Sequence, residues 1–302
     1  MAGVLLYGAP APGLVEVPPG ARQVSPLIPG SGDLAAMADG SADEVIVLAP
    51  GGTLERDYVL AQALRVLRPG GSLLAFAPKD KGGSRLKKAL ERFGCTVGED
   101  ARRHHRFCRA VRPAAPPELD EAIAAGAPRI VPALGVWSQP GVFSWDRLDP
   151  GSGRLIELLP ALSGRGADLG CGVGLLAVQV LASPEVTELV CVDIDRRATD
   201  CAAHNLDDVR ARVVQADVRQ LGEDLTGLDF VVMNPPFHDG GSEDRDLGVS
   251  FIRAAAGMLR KGGVCWLVAN RHLPYEAPLA AAFAQVQVRA DAGGYKIIEA
   301  RK

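Results

Sequence analysis

From Gly166 onward, short apolar runs alternate with longer stretches that mix apolar and polar residues. "GADLG" precedes "LLAVQVLA", and "ELVCVDID" precedes "RRATDCAAHNL"; "RVVQADV", "LDFVVMN", "GVSFIRAAAGMLRKGG" and "VCWLVAN" follow. Reading the short runs as strands and the longer ones as helices gives a parallel sheet covered on both faces, joined by right-handed crossovers. The last pair breaks the alternation. "QVQVRADA" and "YKIIEARK" flank Gly293-Gly294, which predicts an antiparallel hairpin closing one edge of the sheet.

The first part of the chain repeats this pattern more faintly. "DEVIVLAPGG" followed by "LAQALRVLRPGGSLLAFAPKD" parallels "LDFVVMNPPF" followed by "IRAAAGMLRKGGVCWLVANRH". Each is a strand, a loop, a helix ending in Leu-Arg-x-Gly-Gly, and a second strand, so duplication of a whole domain is the simplest reading. In the first copy Ala-Pro-Gly-Gly stands where the second has Asn-Pro-Pro-Phe, and no glycine-rich strand-to-helix turn precedes it. Between the copies, "RPAAPPELDEAIAAGAPR" is rich in proline and alanine and reads as a linker. The expected organisation is a first domain over residues 1–112, a linker over 113–128 and a second domain over 129–302.

Composition adds little to this picture until charge is mapped. The 302 residues are 47% hydrophobic and 23% charged, an ordinary globular balance long enough for two domains. Six scattered cysteines without a Cys-x-x-Cys pair or a histidine at zinc spacing indicate reduced thiols and no metal site. The start, "MAGVLLYGAPAPG", has no basic lead, and no run is long enough to span a bilayer, so a cytoplasmic protein with no membrane partner is expected. The net charge of −3 hides a segregation: between Lys81 and Arg112, ten basic side chains face three acids. Within it, "RRHHRFCR" is dense enough for Arg102, Arg103 and Arg106 to track a phosphate backbone. "SRLKKALERFG" reads equally as an amphipathic helix with solvated lysines, ended by Gly94.

The candidate chemistry lies in the second half. In "GADLGCGVGLLA", Gly170, Gly172 and Gly174 follow a strand and enter a helix, so the backbone can turn tightly and approach a ligand. The spacing, Asp168-x-Gly-x-Gly-x-Gly, departs from the dinucleotide pattern and suits a ligand with an amino acid end and no pyrophosphate. Plain strand-to-helix packing is the bland alternative. Asp193 ends the next strand where a carboxylate accepts from ribose hydroxyls, and Asp195 reads as a helix N-cap. Asp217, after the third strand, stands where it could accept from an adenine amine. The fourth strand ends in "NPPFHDGG", and two successive prolines stop a ladder and leave rigid carbonyls.

The order "DLGCGVG", "VDID", "QADV", "NPPFHDGG" resembles the class I S-adenosylmethionine-dependent methyltransferases. With "VANRHLPYE" and "PGVFSWDRLDPGSGRLIELLP", it is similar more narrowly to the RsmC/RlmG family of ribosomal RNA guanine-N2 methyltransferases. The resemblance covers residues 135–302 closely and earlier residues in architecture only. It implies two tandem Rossmann-like domains, a degenerate N-terminal copy that docks RNA and a catalytic C-terminal copy with a seven-stranded sheet and an antiparallel terminal hairpin.

It also implies S-adenosylmethionine as cofactor, held by Asp168, Gly170, Gly172, Gly174, Asp193, Asp217 and Asn234. Asn234, Pro235, Pro236 and Phe237 would be catalytic, and Phe237 and His238, with Arg102, Arg103 and Arg106, would meet the substrate. The implied partner is ribosomal RNA or the small ribosomal subunit, met by a monomer that needs no metal. Phe143 and Ser144 would fold toward the cofactor, although packing under Trp145 explains that apolar run equally well. Asn-Pro-Pro-Phe by itself marks a planar amide-like or exocyclic nitrogen. A protein-glutamine N5 methyltransferase and a non-catalytic RNA-binding assembly factor are therefore the competing expectations.

Overall fold

The computed structural model describes residues 3–221, 225–236, 238–239, 242–243 and 245–302; Phe237 lies outside them. The chain forms two compact units, Met1–Pro128 with Gln139–Gly141, and Arg129–Ser138 with Val142–Lys302. No helix among the described residues is long and apolar enough to cross a membrane.

In the first unit, β1 (Gly3–Tyr7), β2 (Arg22–Gln23), β3 (Ala42–Leu48), β4 (Leu67–Pro78), β5 (Val97–Arg102) and β6 (His105–Val111) form one sheet in the order β2-β1-β3-β4-β6-β5. Successive residues of β3 feed opposite faces, as the pleat requires. Val45 and Val47 meet α1 (Thr53–Val66) and α2 (Leu86–Arg92), whereas Ile46 and Leu48 pack with Leu14, Phe76 and Phe107. The segment expected as a linker carries α3 (Leu119–Gly126), whose Gly126 sits so close to Tyr58 of α1 that a Cβ would lie 2.3 Å from its Cβ.

The second unit opens with a small hairpin, β7 (Arg129–Val131) and β8 (Val136–Ser138), and then α4 (Pro150–Leu158). After these come β9 (Gly164–Leu169), α5 (Leu175–Leu181), β10 (Val186–Asp193), α6 (Arg196–Asn205), β11 (Ala211–Gln215) and β12 (Leu228–Met233). A two-residue pair, β13 (His238–Asp239) and β14 (Ser242–Glu243), precedes α7 (Arg245–Met258), β15 (Leu259–Asn270), α8 (Glu276–Ala282), β16 (Gln285–Ala292) and β17 (Tyr295–Arg301). The main sheet has seven strands in the order β11-β10-β9-β12-β15-β17-β16, parallel except for the terminal hairpin, as the sequence predicts. Val231 and Met233 of β12 face α7, while Phe230 and Val232 face the core that α4 and α5 cover. Gly166 makes room for Phe230: a Cβ there would meet the ring at 2.1 Å.

The two sheets share one topology, although among the described residues the first has no counterpart of β11, and two details correct the sequence alignment. Both helices end before the Leu-Arg-x-Gly-Gly motif, at Val66 and Met258, and the motif opens the next strand instead. Its first glycine takes φ +78° (Gly70) or +80° (Gly262), and a Cβ on the second would lie 2.9–3.0 Å from two backbone carbonyls in either unit. Strand register also shifts the repeat by one residue. Leu6 pairs with Ile46 as Asp168 pairs with Val232, so Leu6 stands in for Asp168, Leu48 for Asn234, and Gly8 for Gly170. Gly263→Ala should therefore cost about 1–3 kcal/mol in urea unfolding through overpacking. Gly257→Ala, on α7 with nothing within 4 Å of its Cβ position, should be neutral or stabilising in the same assay.

Candidate active site

Strand order reverses between β9 and β12, and in an open α/β sheet the crevice at the carboxyl ends of such strands takes the ligand. The paired ladders bring Leu169 opposite both Val192 and Met233, so the residues just beyond these strands emerge at one level. Gly170, Gly172 and Gly174 all adopt left-handed backbone, at φ +73°, +54° and +88°. The bend is tied down by Gly170 N and Cys171 N, both donating to the Val192 carbonyl. A Cβ on Gly172 would meet nothing within 4 Å, whereas one on Gly170 would lie 3.9 Å from the Asn234 carbonyl oxygen. The bend is thus open at Gly172, while a Cβ on Gly174 would lie 3.4 Å from Leu206 and one on Gly170 3.5 Å from the Phe251 ring, where the bend adjoins the Asn-Pro-Pro turn.

Asp168 is fully buried on the face of β9 that looks toward α5, and among the described residues neither carboxylate oxygen has a hydrogen-bond partner. Burial, and secondarily the charge of Asp193, push its pKa up to about 8; the Ala177 N–H on α5, near the carboxylate but short of hydrogen-bond geometry, offsets part of this. Asp193 accepts from Gly172 N at 2.8 Å through Oδ2 and from Asp195 N at 2.9 Å through Oδ1. Burial raises it to about 6 despite those bonds. Two such carboxylates beside an open bend fit a cationic ligand with an amino acid end, the property of the expected S-adenosylmethionine. Asp195 caps α6, accepting from Arg197 N.

Asp217 is held differently. Its oxygens accept from Arg219 N, Nε and Nη2 at 2.7–3.0 Å, and this pairing depresses its pKa. A base amine would have to share that carboxylate with Arg219.

Asn234 is half-buried, and its Nδ2 donates to Asp149 Oδ2 and Ser152 Oγ, both at 2.9 Å. Pro235 is buried and Pro236 half-buried behind it. His238 lies in β13, where only the backbone is described. Phe143 is 61% exposed and Ser144 takes φ +49°.

The sequence reading missed three side chains. Asp149 and Ser152 hold Asn234; the signal was there in "LDPGS", an acidic N-cap followed by proline at the first helical position. Asn205, at the end of α6, exchanges two hydrogen bonds with the Trp137 backbone and donates to the Val173 carbonyl, which clamps β8 to the glycine bend. No local pattern announces that contact.

The basic residues of the first unit lie on the β5–β6 hairpin. Arg102 and Arg103 are exposed and Arg106 is half-buried, 3.8 Å from Glu99. Arg102 covers the Phe107 ring at 4.5 Å and Arg103 donates to the Gly13 carbonyl at 2.8 Å. The tip residues, Arg103 and His104, have φ +47° and +60°, whereas the equivalent turn of the second unit uses Gly293 and Gly294.

Residues 133–299 match the family described as Methyltransferase small domain. Ribosomal RNA small subunit methyltransferase C of Shewanella loihica is 33% identical over 86% of this chain and 77% of its own length. The same protein of Shewanella halifaxensis is 33% identical over 86% and 77%. A solved structure, the T. thermophilus 16S rRNA N2 G1207 methyltransferase (RsmC) with AdoMet and guanosine, is 29% identical with a TM-score of 0.72, covering 89% of this chain and 75% of that one.

The raised Asp168 pKa sets a sign for stability. The folded protein keeps a proton that the unfolded chain releases near the ordinary carboxylate pKa, so stability is full below that value and falls as pH rises toward 8. The ligand-free protein should lose about 2 kcal/mol between pH 6 and 8. Asp168→Asn should flatten that loss and raise the pH 8 melting temperature, both read by calorimetry.

Proposed function

The chain belongs to the methyltransferase small domain family, and on that footing we propose that it methylates the exocyclic N2 amine of a guanine in small-subunit ribosomal RNA. S-adenosylmethionine is its cofactor. The observation that carries the reading is the 3.9 Å separation between the Cβ position of Gly170 and the Asn234 carbonyl, which sets the glycine bend against the Asn-Pro-Pro turn. The names of the curated relatives support ribosomal RNA as substrate, and the guanosine in the T. thermophilus complex supports guanine.

The bound cofactor supplies an electrophilic methyl group on a sulfonium. Gly170, Gly172 and Gly174 would let the backbone approach its amino acid end, Asp168 would give up its proton as the cation arrives and face it as a carboxylate, and Asp193 would accept from its ribose. A base amine is a weak nucleophile because its lone pair is delocalised into the ring. The Asn234 amide oxygen and the Pro235 carbonyl each accept one amine hydrogen, which fixes the nitrogen and draws it toward a tetrahedral shape with its lone pair aimed at the methyl. Pro235 and Pro236 stiffen the turn, so the acceptors need little reorganisation as positive charge develops. No strong base is required, since the product ammonium sheds its proton to water or a carbonyl. Phe237, outside the described residues, would stack on the base, which must leave its own stack to arrive, and His238 would shape the pocket.

In this reading the first unit docks RNA through Arg102, Arg103 and Arg106. What supports this is strain: αL backbone costs a non-glycine residue roughly 1–2 kcal/mol, yet Arg103 and His104 hold the tip that glycines hold in the second unit. A phosphate contact at this tip would offset the strain, beyond the hydrogen bond that Arg103 already donates to Gly13.

Asn234→Ala should lower tritium transfer to under-methylated 16S rRNA by roughly 100-fold or more; undiminished labelling would remove Asn234 from the mechanism, and label on a glutamine of protein instead would replace the RNA substrate. The pair Arg103→Gly, His104→Gly should raise the melting temperature, weaken RNA binding and reduce its salt dependence, with S-adenosylmethionine affinity unchanged. Unaltered RNA affinity would remove the hairpin from the docking surface.

A further inference from the structure

Asn234 and Asp149 are separated by 85 residues, and their contact fixes something that the Asn-Pro-Pro turn leaves open. A primary amide is nearly symmetrical in shape. If Asn234 turned about its last torsion, the substrate amine would meet an NH2 group instead of an oxygen, donor against donor. Rigid prolines do not prevent this, because the rotation lies in the side chain.

The start of α4 does prevent it. A carboxylate only accepts, so Asp149 Oδ2 at 2.9 Å requires Nδ2 of Asn234 on its side; the flipped amide would set oxygen against carboxylate oxygen. Ser152 Oγ accepts the second amide hydrogen, also at 2.9 Å. Both acceptors are themselves fixed. Asp149 Oδ2 caps α4 by accepting from Ser152 N at 2.8 Å, with Pro150 presetting the first turn. Gly151 abuts Tyr295 so closely that a Cβ would lie 2.9 Å from its ring, so the helix start cannot slide along β17.

We infer that Asp149 and Ser152 are positioning residues which lock the Asn234 amide with its oxygen toward the reacting nitrogen, so that the N-cap of α4 sets the polarity of the catalytic turn. The inference rests on the proposed reaction for what the oxygen meets, and on geometry for the side of the amide that α4 holds. It is the acceptor character of residue 149 that matters, and its charge does not: an asparagine oxygen in the place of Oδ2 accepts the same two bonds.

The test combines steady-state methylation of 16S rRNA with solvent exchange of the Asn234 side-chain amide in 15N-labelled protein, the resonance being assigned by its loss in Asn234→Asp. Asp149→Ala with Ser152→Ala should lower kcat by roughly 100-fold, with KM for RNA and Kd for S-adenosylmethionine within about twofold, and should speed amide exchange. Asp149→Asn should rescue both readouts relative to Asp149→Ala. On the Asn234→Ala background, the 149 and 152 changes should cost nothing more. Ser152→Ala leaves the cap bond to Ser152 N in place and should still lower kcat by about tenfold, so loss of the helix is not confused with loss of orientation.

Asp149→Asn as impaired as Asp149→Ala, full additivity with Asn234→Ala, or amide exchange indifferent to both substitutions would each overturn the inference. Failure of the wild-type protein to label RNA would instead defeat the proposed reaction, and amide exchange would still decide the orientation.

Discussion

Two parallel strands that end side by side govern this molecule. β9 and β12 are neighbours in the sheet although β10 and β11 intervene in sequence, and their register brings Leu169 opposite Met233. Segments that leave the sheet at that edge therefore start out next to one another. The glycine bend leaves β9, the Asn-Pro-Pro turn leaves β12, and Asp193 leaves β10 on the far side. Buried on both faces, these strands hold the edge rigid, so the loops inherit their positions from the apolar core.

Placed on that edge, polarity is costly to the fold. Asp168 sits fully buried without a hydrogen bond, beside a second buried carboxylate, an arrangement no stability argument would choose. The first unit shows the alternative. Leu6 and Leu48 occupy the positions of Asp168 and Asn234, and Ala9-Pro10-Ala11-Pro12 comes after Gly8 where Cys171-Gly172-Val173-Gly174 comes after Gly170. The scaffold persists with two apolar side chains in place of two polar ones, and residues 9–21 form no helix.

Much of this was legible in the chain because it is local. Alternating apolar runs give the sheet, Gly293-Gly294 gives the closing hairpin, and the spacing from Asp168 to Gly174 marks the bend. Other features escaped because they depend on partners remote in sequence. The grip of Asp149 and Ser152 on Asn234 joins residues more than 80 positions apart, and the clamp of Asn205 on Trp137 joins residues 68 apart. The engagement of Asp217 by Arg219 is local, but an aspartate two residues before an arginine reads the same whether or not the pair closes. The one-residue error in aligning Ala-Pro-Gly-Gly with Asn-Pro-Pro-Phe arose from matching prolines, whereas the ladder counts hydrogen bonds from the preceding strand.

The Leu-Arg-x-Gly-Gly turn occurs in both halves with the same left-handed first glycine and the same crowded second one, although only one half keeps the polar groups of the bend. Within a single chain, the two copies act as a control for each other. What both retain answers to assembly of the backbone, and what only one carries, Asp168 and Asn234, that assembly does without. By that comparison the twin glycines are a debt owed to folding, one that a unit with leucines in the places of Asp168 and Asn234 must go on honouring.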